Sequence, residues 1–289
     1  MFPPGAGPFP FLPGHREHGC GRVPCPDVAH ATTADGARIW YDGDGDGDPV
    51  LLLPGQSLDS RMWGPLATDL AARHRVILMD NRGTGRSEDG AETDYSTALF
   101  ARDALAVLTA QGIDRAHVYG FSMGGRIAQV LATLAPDRIG ALVLAATGPG
   151  GTEEVPRSEA ANEALRTVST PAGRAALTEL FFTPDWVRDH AELVESVTPS
   201  NSRRSQRRHF IASTDHRGWD LLPRITAPTL VLHGGDDALT PPENAHRIAG
   251  RVPDARVRIF DGARHGVHLE ARPAASDTVL DFLAQNPLD

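Results

Sequence analysis

The chain has 289 residues, 40% of them apolar and 22% charged, with a formal charge of −9 at pH 7, and every one of its 28 cationic side chains is arginine. That size and balance fit one large globular core, alone or with an inserted subdomain. The negative charge speaks against a nucleic-acid partner, which needs a cationic face to displace counterions; no run nears the ~18 apolar residues of a membrane span; and the lack of lysine excludes a lysine nucleophile.

Residues 1–27 read as an irregular extension, because Pro and Gly interrupt every apolar stretch. The segment lacks the basic start and apolar core of an export signal, so a cytoplasmic location is expected. Cys20 and Cys25 fall here and are expected as reduced thiols rather than a disulfide. Their irregular spacing relative to His15 and His18 is not that of a zinc site.

Residues 37–41 read as a strand. The Asp-Gly repeat over 42–48 lacks the bidentate glutamate and flanking helices of a calcium loop, and is expected to be a hairpin connection. A strand over 50–53, a helix over 62–73, a strand over 75–80, a helix over 95–111 and a strand over 117–121 follow. Residues 126–135 then place Ile127, Val130, Leu131 and Leu134 on one helical face, and 139–145 is another buried strand. After Gly148 the alternation stops, and residues 149–221 show only helical candidates, over 160–168, 171–182 and 184–197. Residues 201–209 carry Arg203, Arg204, Arg207 and Arg208, which read as a solvated helix face or, functionally, as a clamp for an anionic substrate group. A strand over 229–233, a helix over 242–251, a strand over 256–261 and a helix over 274–284 complete the chain. Strands alternating with amphipathic helices predict an α/β fold with a mostly parallel, doubly wound sheet built from residues 28–148 and 222–289, interrupted by a helical cap over 149–221.

Ser122 stands at the centre of Gly120-Phe-Ser-Met-Gly, directly after a strand and before a helix. A serine hydroxyl attacks only where a base can reach it and where backbone N–H groups face the developing oxyanion. A sharp strand-to-helix turn offers both, and Gly120 and Gly124 remove side chains that would clash there. In such sheets the loops after the strand C-termini converge on one edge, so partners should also follow strands. Asp236 and Asp237 follow the strand over 229–233, and His265 and His268 follow the strand over 256–261. His117 and His233 lie inside strands and read as structural.

Four segments together, Leu53-Pro-Gly-Gln-Ser, Asp80-Asn-Arg-Gly-Thr-Gly-Arg-Ser, Gly120-Phe-Ser-Met-Gly-Gly and the paired Asp and His loops, resemble the α/β-hydrolase superfamily of the kind with a helical cap. The resemblance covers residue 28 onward. It implies Asp237, three residues after Gly234, as the acid, and His265, before a small residue, as the base of a Ser122–His265–Asp237 triad. It implies an oxyanion hole from the N–H groups of Met123 and Gln56, with Pro54 where a histidine is common. It makes the Gly-rich turn over 82–87 a structural turn beside the acid loop rather than a phosphate loop, and calls for no metal or organic cofactor. Trp63, Phe121, Met123, Phe181, Phe182, Trp186, Trp219 and His268 are candidates for an apolar pocket between core and cap. A serine at the elbow separates the chain from the haloalkane dehalogenases and epoxide hydrolases, which carry aspartate there. The chain looks similar to lactonases and natural-product methyl esterases, which implies a small hydrophobic ester or lactone as substrate. Carbon–carbon bond hydrolysis, acyl transfer and cofactor-free perhydrolysis use the same groups, and a small-molecule receptor without turnover is the reading from another class.

Overall fold

Successive side chains of a strand face opposite ways, and in the computed structural model, which describes residues 29–288, the central strands bury both sets. Leu51, Leu53, Val118, Leu142 and Leu144 join one apolar cluster, while Val50, Leu52, Tyr119, Phe121, Val143 and Ala145 join another. A strand apolar on both faces needs cover on both sides, which is why helices flank this sheet. The extension over 1–27, with Cys20 and Cys25, lies outside the described residues.

The strands are β1 His30–Thr32, β2 Arg38–Asp44, β3 Pro49–Leu53, β4 Arg75–Met79, β5 Ala116–Phe121, β6 Ile139–Ala145, β7 Thr229–Gly234 and β8 Ala255–Phe260. They form one eight-stranded sheet in the order β1-β2-β4-β3-β5-β6-β7-β8. β1 and β2 are antiparallel to their neighbours, and β3 to β8 run parallel. The order reverses at β3, so the chain winds outward in both directions.

Helices α1 Gly64–Ala71, α2 Thr97–Ala110 and α3 Met123–Leu134 belong to the first part of the core. Between β6 and β7 lie α4 Glu159–Arg166, α5 Pro171–Phe181, α6 Pro184–Asp189, α7 Ala191–Val194 and α8 Arg203–Thr214, the helical cap. Its sole extended pairing among the described residues is an isolated bridge, Gly150 to Arg217. Helices α9 Glu243–Ala249, α10 Val267–Glu270 and α11 Ala274–Ala284 complete the chain. Among the described residues no helix is long and apolar enough to cross a membrane.

Three expectations change. β1, only three residues long, is too short to carry a strand pattern of its own and is an addition to the elements read from the sequence. Residues 42–48 are not a hairpin connection: β2 runs on to Asp44 and pairs with β4, so the chain passes over the β4 position to reach β3. The helix expected over 62–73 begins as a 3-10 turn, Ser60–Trp63, and continues as α1.

Candidate active site

The serine turn is built by close approach of backbone. A Cβ on Gly120 would run into the Gly124 carbonyl, and one on Gly124 into the Leu53 carbonyl, so the spacing of the two glycines is steric. Ser122 itself sits at φ 54° and ψ −116°, a region costly for a side-chain-bearing residue. Its backbone is tied down on both sides. Ser122 N–H donates to the Ala145 carbonyl (2.9 Å), and Thr147 Oγ1–H donates to the Ser122 carbonyl (2.8 Å). The strain therefore persists because neighbouring elements hold the turn.

Asp237 and His265 meet Ser122 from two other strand ends. His265 Nδ1 lies 2.7 Å from Asp237 Oδ2, and His265 Nε2 lies 3.1 Å from Ser122 Oγ. An ionised carboxylate only accepts, so Nδ1 carries the proton and Nε2 is left to accept from the serine hydroxyl. The other carboxylate oxygen, Oδ1, accepts from Leu239 N–H (2.9 Å) and Thr240 N–H (2.8 Å). His233 Nε2 donates to the Thr240 carbonyl (2.8 Å) and stands 3.3 Å from Asp237 Oδ2. Burial alone would raise the Asp237 pKa, but electrostatic attraction to the adjacent His265 ring and hydrogen bonds from His233 and His265 hold it at about 2. Asp236 is exposed, and its N–H donates to the Ala263 carbonyl (2.9 Å), a loop role.

The histidine loop leans on the cap. His265 N–H donates to the Leu180 carbonyl and Gly266 N–H to that of Phe181. Glu270 clamps both segments, accepting from Thr183 N–H (2.6 Å) through one oxygen and from Arg264 N–H (2.5 Å) through the other. The His265 ring packs between Phe121 and Phe181, at centroid distances of 5.1 and 4.9 Å. His268 is far less available. It is fully buried in α10, donates to the Met62 carbonyl (3.2 Å), and burial pushes its pKa down to about 3.

On the opposite side, Gln56 follows β3, and neither its N–H nor that of Met123, the first of α3, has a hydrogen-bond acceptor among the described residues. The next residue, Ser57, has φ 61° and donates its N–H to His209 Nδ1 (3.2 Å). His209 in turn donates from Nε2 to the Arg82 carbonyl (2.8 Å), and burial keeps it neutral, with a pKa of about 4. Arg82 is itself fully buried against Asp103 (2.7 Å) and Asp35 (2.9 Å). The Gly-rich turn after β4 thus braces the Gln56 loop and α8. It does not stand beside the acid loop, because β3, β5 and β6 separate β4 from β7.

Residues 48–272 match the family model described as the alpha/beta hydrolase fold. The chain belongs to the α/β-hydrolase family. It is 30% identical over 265 residues to a putative carbamate hydrolase, RutD, of Azorhizobium caulinodans, covering 89% of this chain and 98% of that one. It is 29% identical over 265 residues to the 2-hydroxy-6-oxo-6-phenylhexa-2,4-dienoate hydrolase of Burkholderia cepacia, covering 86% and 91%. The enol-lactonase of Burkholderia xenovorans LB400 superposes with a TM-score of 0.77 at 25% identity, covering 89% of this chain and all of the other.

In this α/β hydrolase a cavity of about 450 Å³ opens above Ser122 and His265, between the sheet edge and the cap. Gln56, Phe121 and Phe181 line it; Trp63, Met123, Phe182, Trp186, Trp219 and His268 do not. Trp63 is buried beneath Phe121, and Phe182 and Trp186 stack on each other (4.1 Å) behind the wall. Trp219 packs with the cluster on the other sheet face, under Arg251. Apolar patterning identifies such rings as inward-facing, but not which inside they face. Arg203, Gln206, Arg207, Phe210 and Ser213 of α8 do line the cavity, so one edge of the arginine-rich face is turned inward rather than wholly to solvent. Among the described residues no group of three His, Cys, Asp or Glu side chains is placed to hold a metal ion.

Proposed function

We propose that this enzyme hydrolyses a carboxylic ester or lactone through an acyl-enzyme on Ser122. The observation that carries the reading is the relay of Ser122, His265 and Asp237 at the floor of the cavity, with separations of 3.1 and 2.7 Å. Ser122 Oγ attacks the carbonyl carbon while His265 Nε2 takes its proton, and Asp237 stabilises the imidazolium and holds the ring in register. The N–H groups of Met123 and Gln56 receive the oxyanion. His265 then returns the proton to the leaving oxygen, and water repeats the cycle to release the acid. Phe121, Phe181, Leu177 and Leu239 offer an apolar wall for the substrate body. The enol-lactonase and carbamate hydrolase relatives lend support, since one name refers to a lactone and the other to hydrolysis of a carbamate, both acyl compounds.

The test is turnover of p-nitrophenyl acetate and butyrate by wild type and Ser122→Ala, with intact mass spectrometry after treatment with a fluorophosphonate. Wild type should turn over and take up one adduct, and Ser122→Ala should lose both. Substantial residual turnover in the variant, or an adduct elsewhere, would overturn the assignment.

A further inference from the structure

The cavity wall is at odds with the charge of the chain around it. A protein of formal charge −9 places five arginines, Arg126, Arg157, Arg166, Arg203 and Arg207, in this wall and no aspartate or glutamate. Two of the five are already neutralised. Arg126 pairs with Glu154 (2.6 Å), and Arg166 with Glu159 (2.6 Å) and Glu163 (2.7 Å). Arg157, Arg203 and Arg207 make no hydrogen bond or ion pair with any described residue.

Their positions differ. Arg203 and Arg207 are exposed, one turn apart on α8, and sit at the cavity mouth. Arg157 is half-buried deeper in the wall, beside Arg126. Burial, then the repulsion of Arg126, lowers its pKa, and neither Glu154 nor Asp237 is close enough to pair with it. A guanidinium cannot shed its charge to escape such a setting, so it costs free energy until an anion arrives. Elsewhere the cavity lining carries apolar side chains, with Leu165, Val168 and Leu177 among them. A lining that combines unpaired guanidinium groups with apolar side chains suits a molecule with an apolar body and an anionic end.

We propose that Arg157 is the specificity residue for a substrate bearing a carboxylate remote from the scissile bond, with Arg203 and Arg207 drawing that charge into the mouth. The inference rests on the ester-hydrolase reading for its catalytic arm but not for its binding arm. A planar guanidinium can take a carboxylate through two parallel N–H bonds, which discriminates strongly against an uncharged end. The two exposed arginines act at longer range and chiefly on the encounter rate.

Two measurements test this. The first compares kcat/KM for the p-nitrophenyl half-ester of glutaric acid with that for p-nitrophenyl butyrate. Wild type should favour the half-ester, and Arg157→Gln should lower the ratio at least about tenfold, mostly through KM. Arg157→Lys should recover part of it. Arg188→Gln, on the exposed face of α6, should leave the ratio as in wild type. Rising salt should erode the preference. The second is calorimetric binding of succinate, glutarate and adipate against butyrate, valerate and hexanoate to Ser122→Ala protein, which needs no turnover. At least one diacid should bind more tightly than the monoacid of equal length, and Arg157→Gln in that background should remove the difference. Absence of turnover with diacid binding intact would sink the ester reading and leave this one standing. Diacids binding no better than monoacids, or an equal effect of Arg157→Gln on both esters, would overturn it.

Discussion

Asp237 and Asp236 are neighbours in sequence with opposite fates. Asp237 is buried, accepts from two backbone N–H groups, and shares its other oxygen between His265 and His233; Asp236 points to solvent. If Asp237 holds the tautomer of His265, then Asp237→Asn should lower kcat by about 10³–10⁴-fold with the fold retained, because an amide can donate to the ring and reverse its protonation. Asp236→Asn should stay within about twofold of wild type. Steady-state kinetics on p-nitrophenyl butyrate, with circular dichroism to check folding, decide the matter; the opposite ranking would move the acid to Asp236. Since Asp237 is held at about 2, it should contribute no ionisation of its own to a pH–rate profile between about pH 4 and 8.

At the scale of elements, the reactive loops are positioned by struts between segments distant in sequence. Glu270 links the end of α5 to the histidine loop through two backbone N–H groups. Glu270→Ala would leave both donors unpaired, at a cost of about 1–3 kcal/mol each where they stay buried. The expected outcome is a lower melting temperature together with a roughly tenfold loss of kcat/KM, read by thermal melts and ester kinetics. A stability loss with catalysis intact would show that His265 is positioned without this clamp. Such struts mark what the sequence could not convey. Ser122, Asp237 and His265 were legible because each follows a strand with its own local pattern, and strand ends share one edge of a parallel sheet. The bracing role of His209 was not legible, since it pairs with Ser57 and Arg82, 152 and 127 residues away. Strand order was equally hidden: hydrophobic alternation locates β2, but nothing in residues 42–48 says that it will pair with β4 rather than β3. The inward edge of α8 was readable as periodicity, at 203, 206, 207, 210 and 213, yet that periodicity is the same for a face on a cavity and a face on water.

Across the whole molecule, four histidines tie distant parts together in neutral form. Burial drives His117 and His209 down to about 4, and His216 and His268 to about 3, and all four are buried. His209 braces the Gln56 loop, His216 lies against α2 and α3 through Thr97 and Gln129, and His268 packs on Trp63 and Phe121. In the unfolded chain each would titrate near 6.5, so between that value and the native ones the unfolded state binds more protons. Stability is therefore fully present above about pH 7 and falls as the pH drops, by up to about 1.4 kcal/mol per pH unit for each histidine. Asp80 and Asp103, whose pKa values burial raises, act in the opposite sense, but they are two against four and matter only as the pH nears the range of those acids. Against a typical total of about 5–15 kcal/mol, the histidine contribution is large. The urea midpoint should thus be flat from about pH 7 to 8 and decline below about 6.5. His216→Gln, which cannot take up the proton, should shallow that decline by about one proton even if it lowers the midpoint itself. A midpoint that holds steady from pH 7 down to 5 would mean that these histidines find compensating partners when charged, and that the neutral ties are not what holds the site to the core.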